Sequence, residues 1–362
     1  MSEYRISVID SLTTFETLRE EWSKLLANSF ANTIFLTWEW LYSWAETYIE
    51  PGKSLFIVAV YDEQELIGIA PWYIYNQPFS IFTLRKIHFL GFPNSDSDYL
   101  DVIIMKGKEK KVVQALYDYL FSVAQRVWDC LYLQDIPADS FFLLRLIEKV
   151  KEEGKFIDFQ PCSFCPATPL PTSADAFLSG LSSHHRLQLR RHRRMIEKYD
   201  NHKFRSFKGS ECVSSLDEFL SFHKDKKGSE DESFYSLLKS FVNRCKDKDW
   251  VQIDFLFVNE VPAAALFHFN YDNALSQYIM VTDKTVNPKV SIGNVLIGYC
   301  IEESIKRCIS RYDFLKGTED FKFSWTNGGN SSVTLFMPQK KFTPFLFTLI
   351  NFIKSAAKVA LR

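Results

Sequence analysis

Residues 182–198, SSHHRLQLRRHRRMIEK, set five arginines, three histidines and a lysine against one glutamate. Guanidinium groups at that density can hold carboxylates or phosphates through paired N–H donors. Read with a helical period, the segment offers only Leu189 and Ile196, seven residues apart, as an apolar strip. Such a helix is charged on most faces and cannot be buried all round. Three readings stand side by side: a solvated face pairing with acidic neighbours, a contact for an anionic substrate or a cofactor phosphate, and a seat for nucleic acid or lipid headgroups. Arg190 and Arg194 are the candidate substrate contacts.

A second set is acidic. NSDSDYLD, residues 94–101, places Asp96, Asp98 and Asp101 in alternation. Alternate carboxylates on a loop can bind a metal, but the full calcium-loop spacing is missing. Turn and cap chemistry is the plainer reading, and a partly buried Asp98 can instead receive an amine. Cys162 and Cys165 form a lone C-x-x-C between Pro161 and Pro166, with neither a second pair nor histidines at ligand spacing. No metal site is expected.

These groups sit in a chain of 362 residues with 43 basic and 44 acidic side chains, net charge -1. The 182–198 block alone carries +5 with its histidines neutral, which leaves -6 for the remainder. A general nucleic-acid coat needs broad phosphate neutralisation and is excluded as the primary role. The length predicts two domains, and 33 Phe, 16 Tyr and 8 Trp suit large cores. Trp38, Trp40, Tyr42 and Trp44 read as core and cleft wall before they read as a sugar platform. Seven scattered cysteines and an N-terminus without signal-peptide layout point to a reducing cytoplasm.

The elements that must hold these groups repeat. Four prolines in 161–175 mark a linker between a first domain, 1–160, and a second, 176–330. In the first, 13–28 and 37–48 read as helices, 54–62 and 65–75 as paired strands, 98–106 as a third strand, 110–126 as a helix and 128–136 as a strand. In the second, 215–227 and 232–248 are helical, 250–259, 261–272 and 273–283 are strands, 291–310 is a long helix and 312–320 a final strand. The common order is helix, helix, strand, strand, strand, helix, strand. Residues 331–362 form an amphipathic helical tail; the apolar run within 345–361 is too short to span a bilayer and suits a packed or interfacial helix, hence possible contact with the inner membrane surface.

That order resembles the GNAT acyltransferase fold used twice: α+β, with mixed central sheets flanked by helices. More closely, the chain is similar to the BioF2-like or CelD-type acetyltransferases, tandem GNAT-like proteins related to the FemAB group. The resemblance is carried by FLTWEWLYSW (35–44), LIGIAPWYI (66–74), FLGFPNSDSDYLDVII (89–104), WDCLYLQDIP (128–137), the arginine block from Leu181 and YDFLKGTEDFKFSW (312–325). The last meets the family pattern at Asp313, Phe314, Leu315, Lys316, Gly317, Glu319, Phe321, Lys322 and Trp325, with Phe321 where tyrosine is usual. The Tyr-Ser-Pro-Gly turn before the long helix stands as Val290, Ser291, Ile292 and Gly293.

The resemblance implies acetyl-CoA as co-substrate and an amine on a sugar or small metabolite as acceptor, often in polysaccharide synthesis. Its alternatives are FemAB-like transfer from aminoacyl-tRNA to a cell-wall precursor, and a catalytically silent scaffold. The cofactor contacts it implies fall in NPKVSIGN, residues 287–294, where Lys289, Ser291, Gly293 and Asn294 precede or open the long helix; a helix N-terminus favours anions, and Ser-x-Gly is equally an ordinary cap. An amine must lose a proton to attack, so a carboxylate is wanted. Glu319 and Asp313 are the candidates, with Lys316 and Lys322 beside Glu319 to keep it ionised and orient the acceptor. The competing reading makes Glu319 a brace for those lysines.

Overall fold

The computed structural model describes residues 4–79, 82–228 and 232–339, which fall into two compact units. The first takes the chain up to Cys162 and again from Ser332; the second is Ser163–Ser331. The segment 345–361 lies outside the described residues, and among those described no helix is long and apolar enough to cross a membrane.

In the first unit the elements run β1 (Tyr4–Ile9), α1 (Leu12–Thr17), α2 (Arg19–Ala27), α3 (Trp38–Tyr48), β2 (Lys53–Leu55), β3 (Ile57–Asp62), β4 (Glu65–Ala70), β5 (Trp72–Phe79), β6 (Phe82–Phe89), β7 (Ile103–Ile104), α4 (Glu109–Phe121), β8 (Cys130–Pro137) and α5 (Phe141–Glu152). β1, β3, β4 and β7 share one sheet, while β2, β5, β6 and β8 stand together in another. The chain changes sheets at Pro71, between β4 and β5. β6 and β8 run parallel through Lys86–Cys130 and Ile87–Leu131, with α4 as their crossover. The strand expected over 98–106 shrinks to β7, because Asn94, Asp96 and Tyr99 adopt positive φ of 75°, 44° and 53° and coil the chain ahead of it. Trp38, Trp40, Tyr42 and Trp44 are all buried, as core residues should be.

β9 (Asp158–Pro169) carries the chain across the unit boundary, so the proline-rich stretch begins as a strand and is not an open linker. The carbonyls of Phe164 and Pro166 accept from Gly317 and Phe314, and a position that only accepts has no use for the N–H that proline lacks.

The second unit contains α6 (Ala174–Gly180), α7 (Ser183–Ile196), β10 (His202–Lys208), α8 (Glu211–Lys227), α9 (Glu232–Arg244), β11 (Val251–Val258), β12 (Val261–Tyr271), β13 (Ala274–Thr282), α10 (Ile292–Lys306), β14 (Arg311–Asp313) and α11 (Asp320–Phe323). β15 (Gly329–Pro338) leads back, and its residues from Ser332 pair with β8; the tail expected from 331 thus starts as a strand. β10 to β13 form an antiparallel meander, and β14 joins β13 in parallel. β11 and β12 are buried almost end to end, which requires both faces to be covered. α10 is buried on most sides and packs on Leu256, Ala264 and Leu266 of the sheet, where each fully buried aliphatic side chain stabilises by about 1.5–3 kcal/mol.

Candidate functional site

β13 and β14 pair only where they begin. Ala274, Leu275 and Ser276 face Arg311, Tyr312 and Asp313 in parallel register. β13 then stays with β12 as far as Thr282, whereas the chain after β14 follows β9, Phe314 N donating to Pro166 O (2.8 Å) and Gly317 N to Phe164 O (3.1 Å). Among the described residues, β13 from Gln277 onward has no strand on its second edge. The result is a wedge whose open edge offers peptide N–H and C=O groups to an extended ligand.

The chain leaving β13 enters α10, so the end of that edge is continuous with a helix N-terminus suited to anions. Ser291 is the N-cap and makes no side-chain capping bond. Lys289 is exposed, with its N–H on Asn287 Oδ1 (3.1 Å). Gly293 was expected to let backbone approach a cofactor; the close approach it permits is to β13, because a Cβ there would stand 3.0 Å from Met280 Sδ and 3.2 Å from Thr282 Cγ2. The Asn294 side chain is likewise spent inside the protein, accepting from Trp325 Nε1 (3.3 Å).

The wedge's second wall is the 313–325 segment. Asp313 is buried, accepts Leu315 N on Oδ1 (2.8 Å) and pairs with Arg311, so its carboxylate fixes a residue held at φ 54°. Lys322 is also buried, and its three ammonium hydrogens have three acceptors: Leu315 O (3.3 Å), Lys316 O (2.6 Å) and Glu319 Oε2 (3.0 Å). That corrects the expectation that Lys322 orients an acceptor, since no donor remains to do so. Lys316 is half-buried, and Glu319, the N-cap residue of α11, keeps 57% of its side chain exposed.

Beside this wall is a cavity of ≈ 350 Å³ lined by Phe177, Leu181, Ser182, Phe323, Trp325 and Thr326, among others. Phe177 and Trp325 stack at 6.3 Å and 18°, and His185 meets Trp325 edge-on at 4.6 Å. Burial, followed by His184 and His192, lowers the pKa of His185 and favours its neutral form. Trp325 joins the two features. Its ring walls the cavity, and its Nε1 holds Asn294 in the first turn of α10.

Residues 183–323, which include β13, α10 and β14, match the acetyltransferase (GNAT) domain family. The fold is GNAT-like. No curated protein matches the chain. Solved structures similar to it include FemX (13% identity, TM-score 0.59, 92% of this chain and 98% of that one), L-PGS from Bacillus licheniformis (10%, 0.54, 92% and 95%) and the tandem GNAT protein from the clavulanic acid biosynthesis pathway (9%, 0.52, 93% and 99%). At such identities the likeness concerns fold.

Within the GNAT-like second unit, the arginine block is indeed helical, and its thin strip, Leu189 and Ile196, is buried. The arginines that brace the fold are others than the two candidate substrate contacts. Arg190 and Arg194 are exposed, whereas Arg186 caps α6 by donating to Ser179 O (2.7 Å) and Leu181 O (2.6 Å). Arg193 donates to Glu302 Oε1 (2.6 Å) and lies 4.6 Å from the Tyr299 ring centroid, tying α7 to α10. Arg193→Ala should therefore lose about 2 kcal/mol in urea unfolding, with Arg190→Ala and Arg194→Ala within about 0.5 kcal/mol of the parent. Asp98 belongs to the first unit, buried in the loop before β7. Asp101 nearby is pushed up to about 7 by burial.

Proposed function

We propose that the chain is an acetyltransferase of BioF2-like or CelD-type kind, moving an acetyl group from acetyl-CoA to an amine on a sugar or other small metabolite. The parting of β13 from β14 carries this reading: it leaves a strand edge for the extended pantetheine arm and leads to a helix N-terminus for the pyrophosphate. The N–H groups of the first turn from Ser291 to Asn294, with Lys289 alongside, hold the phosphates. The cavity at Phe177 and Trp325 takes the acceptor, its stacked rings suiting the apolar face of a sugar, and Glu319 accepts the amine proton. What the donor supplies is a thioester carbonyl open to attack.

The likeness in fold to FemX over 92% of the chain also fits a second reading, aminoacyl transfer from tRNA to a cell-wall precursor. Release of CoA thiol in a screen of amino sugars, polyamines and amino acids tests the first. Product formation only with charged tRNA would establish the second, and neither would leave a silent scaffold. Lys289→Glu reverses a charge at the proposed phosphate site, so calorimetry should find acetyl-CoA bound about 3–10-fold more weakly. Unchanged affinity in a folded variant would move the cofactor away from this loop.

A further inference from the structure

Beneath α10, a polar tract crosses the apolar core of the second unit. On three neighbouring strands Gln252 stands opposite His268, and His268 opposite Gln277. Asp254, two residues beyond Gln252, and Cys300 of α10 complete the group, and Asp254, His268, Cys300 and Tyr312 are all 0% exposed. One ligand atom each from Asp254, His268 and Cys300 lies within 4.8 Å of the other two.

Counting protons shows what is missing from an ordinary hydrogen-bonded core. The Tyr312 hydroxyl gives its one hydrogen to Gln277 Oε1 (2.9 Å). Its contact with His268 Nε2 (2.9 Å) then requires the ring hydrogen on Nε2, which leaves the lone pair of a neutral imidazole on Nδ1. Nδ1 stands 2.9 Å from Asp254 Oδ2, yet it makes no hydrogen bond. An acceptor set against a carboxylate oxygen in a dry core is repulsive unless a second ring proton or a metal cation meets both, and a second ring proton would give the hydrogen bond to Asp254 that Nδ1 does not make.

We propose that Asp254, His268 and Cys300 bind a divalent cation of the zinc class. Thiolate, imidazole and carboxylate are the donor types zinc takes. One carboxylate and one thiolate also cancel a double positive charge, which a site with no exposure needs. The surroundings are those of an outer metal shell: Gln252 Nε2 donates to both Asp254 oxygens (3.1 and 2.9 Å), Arg307 holds Gln252 Oε1 (2.6 Å), and Tyr312 takes the second histidine nitrogen. Tyr312 and Gln277 stand where β13 and β14 part, so the cation pins the vertex of the wedge to α10. It is structural, and the proposal is independent of which acyl group the protein transfers.

A buried cation is loaded as the chain folds. The test therefore uses the full chain, its affinity tag removed, analysed for metals as purified and after refolding with Zn²⁺ or Co²⁺. About one metal per chain is expected, together with a thiolate-to-cobalt charge-transfer band. Cys300→Ser should abolish the band and reduce metal content about ten-fold or more, while Cys308→Ser, at an exposed thiol, should preserve both. Refolding with chelator should lower the Tm of the parent. A folded parent that takes up neither metal, or a band that survives Cys300→Ser, overturns the proposal; the parent decides alone if Cys300→Ser does not fold.

Discussion

Lys322→Met should destabilise the second unit by about 3 kcal/mol in urea unfolding, the combined cost of leaving buried carbonyls without a donor and a carboxylate without its cation. The carbonyls are those of Leu315 and Lys316, and the carboxylate is Glu319. Methionine keeps the length and apolar stem of lysine, so packing alone predicts almost no loss. Lys322→Arg should fail to rescue, because the space around Nζ is small: a Cβ on Gly317 would already stand 2.7 Å from it. Gly317 itself has φ 128°, where a side chain is strained. A Lys322→Met variant within about 0.5 kcal/mol of the parent would show that water serves those carbonyls and that Lys322 is replaceable.

The geometry behind that expectation was only partly legible in the sequence. α8, α9, β11, β12, β13, α10 and β14 follow the order read from periodicity, because their apolar spacing and the burial it produces are local properties. The final strand ends at Asp313, seven residues short of the reading, since Leu315 and Gly317 turn the chain at positive φ. Charge alone did not separate like residues in two places. Lys316 and Lys322 read alike, yet Lys322 is enclosed by backbone carbonyls, and the arginine block gave no sign that Arg186 and Arg193 are braces while Arg190 and Arg194 face outward. The Asp254, His268 and Cys300 cluster left no motif, its members being 14 and 32 residues apart on two strands and a helix. Each sits in an apolar run that says only that the position is buried.

Glu319→Gln should lower kcat for acetyl transfer to an amine about 100-fold, with little change in Tm. The brace and the base make different demands on this residue, and their magnitudes separate them. As a brace, Glu319 contributes one ion pair to Lys322, with 57% of its own side chain in water. A pair so exposed is worth about 0–1 kcal/mol, and glutamine still offers Lys322 an amide oxygen. A 100-fold fall in kcat corresponds to about 2.7 kcal/mol of transition-state stabilisation, more than loss of the brace can supply. A variant that turns over within about three-fold of the parent would assign proton removal to another group and leave Glu319 as the partner of Lys322.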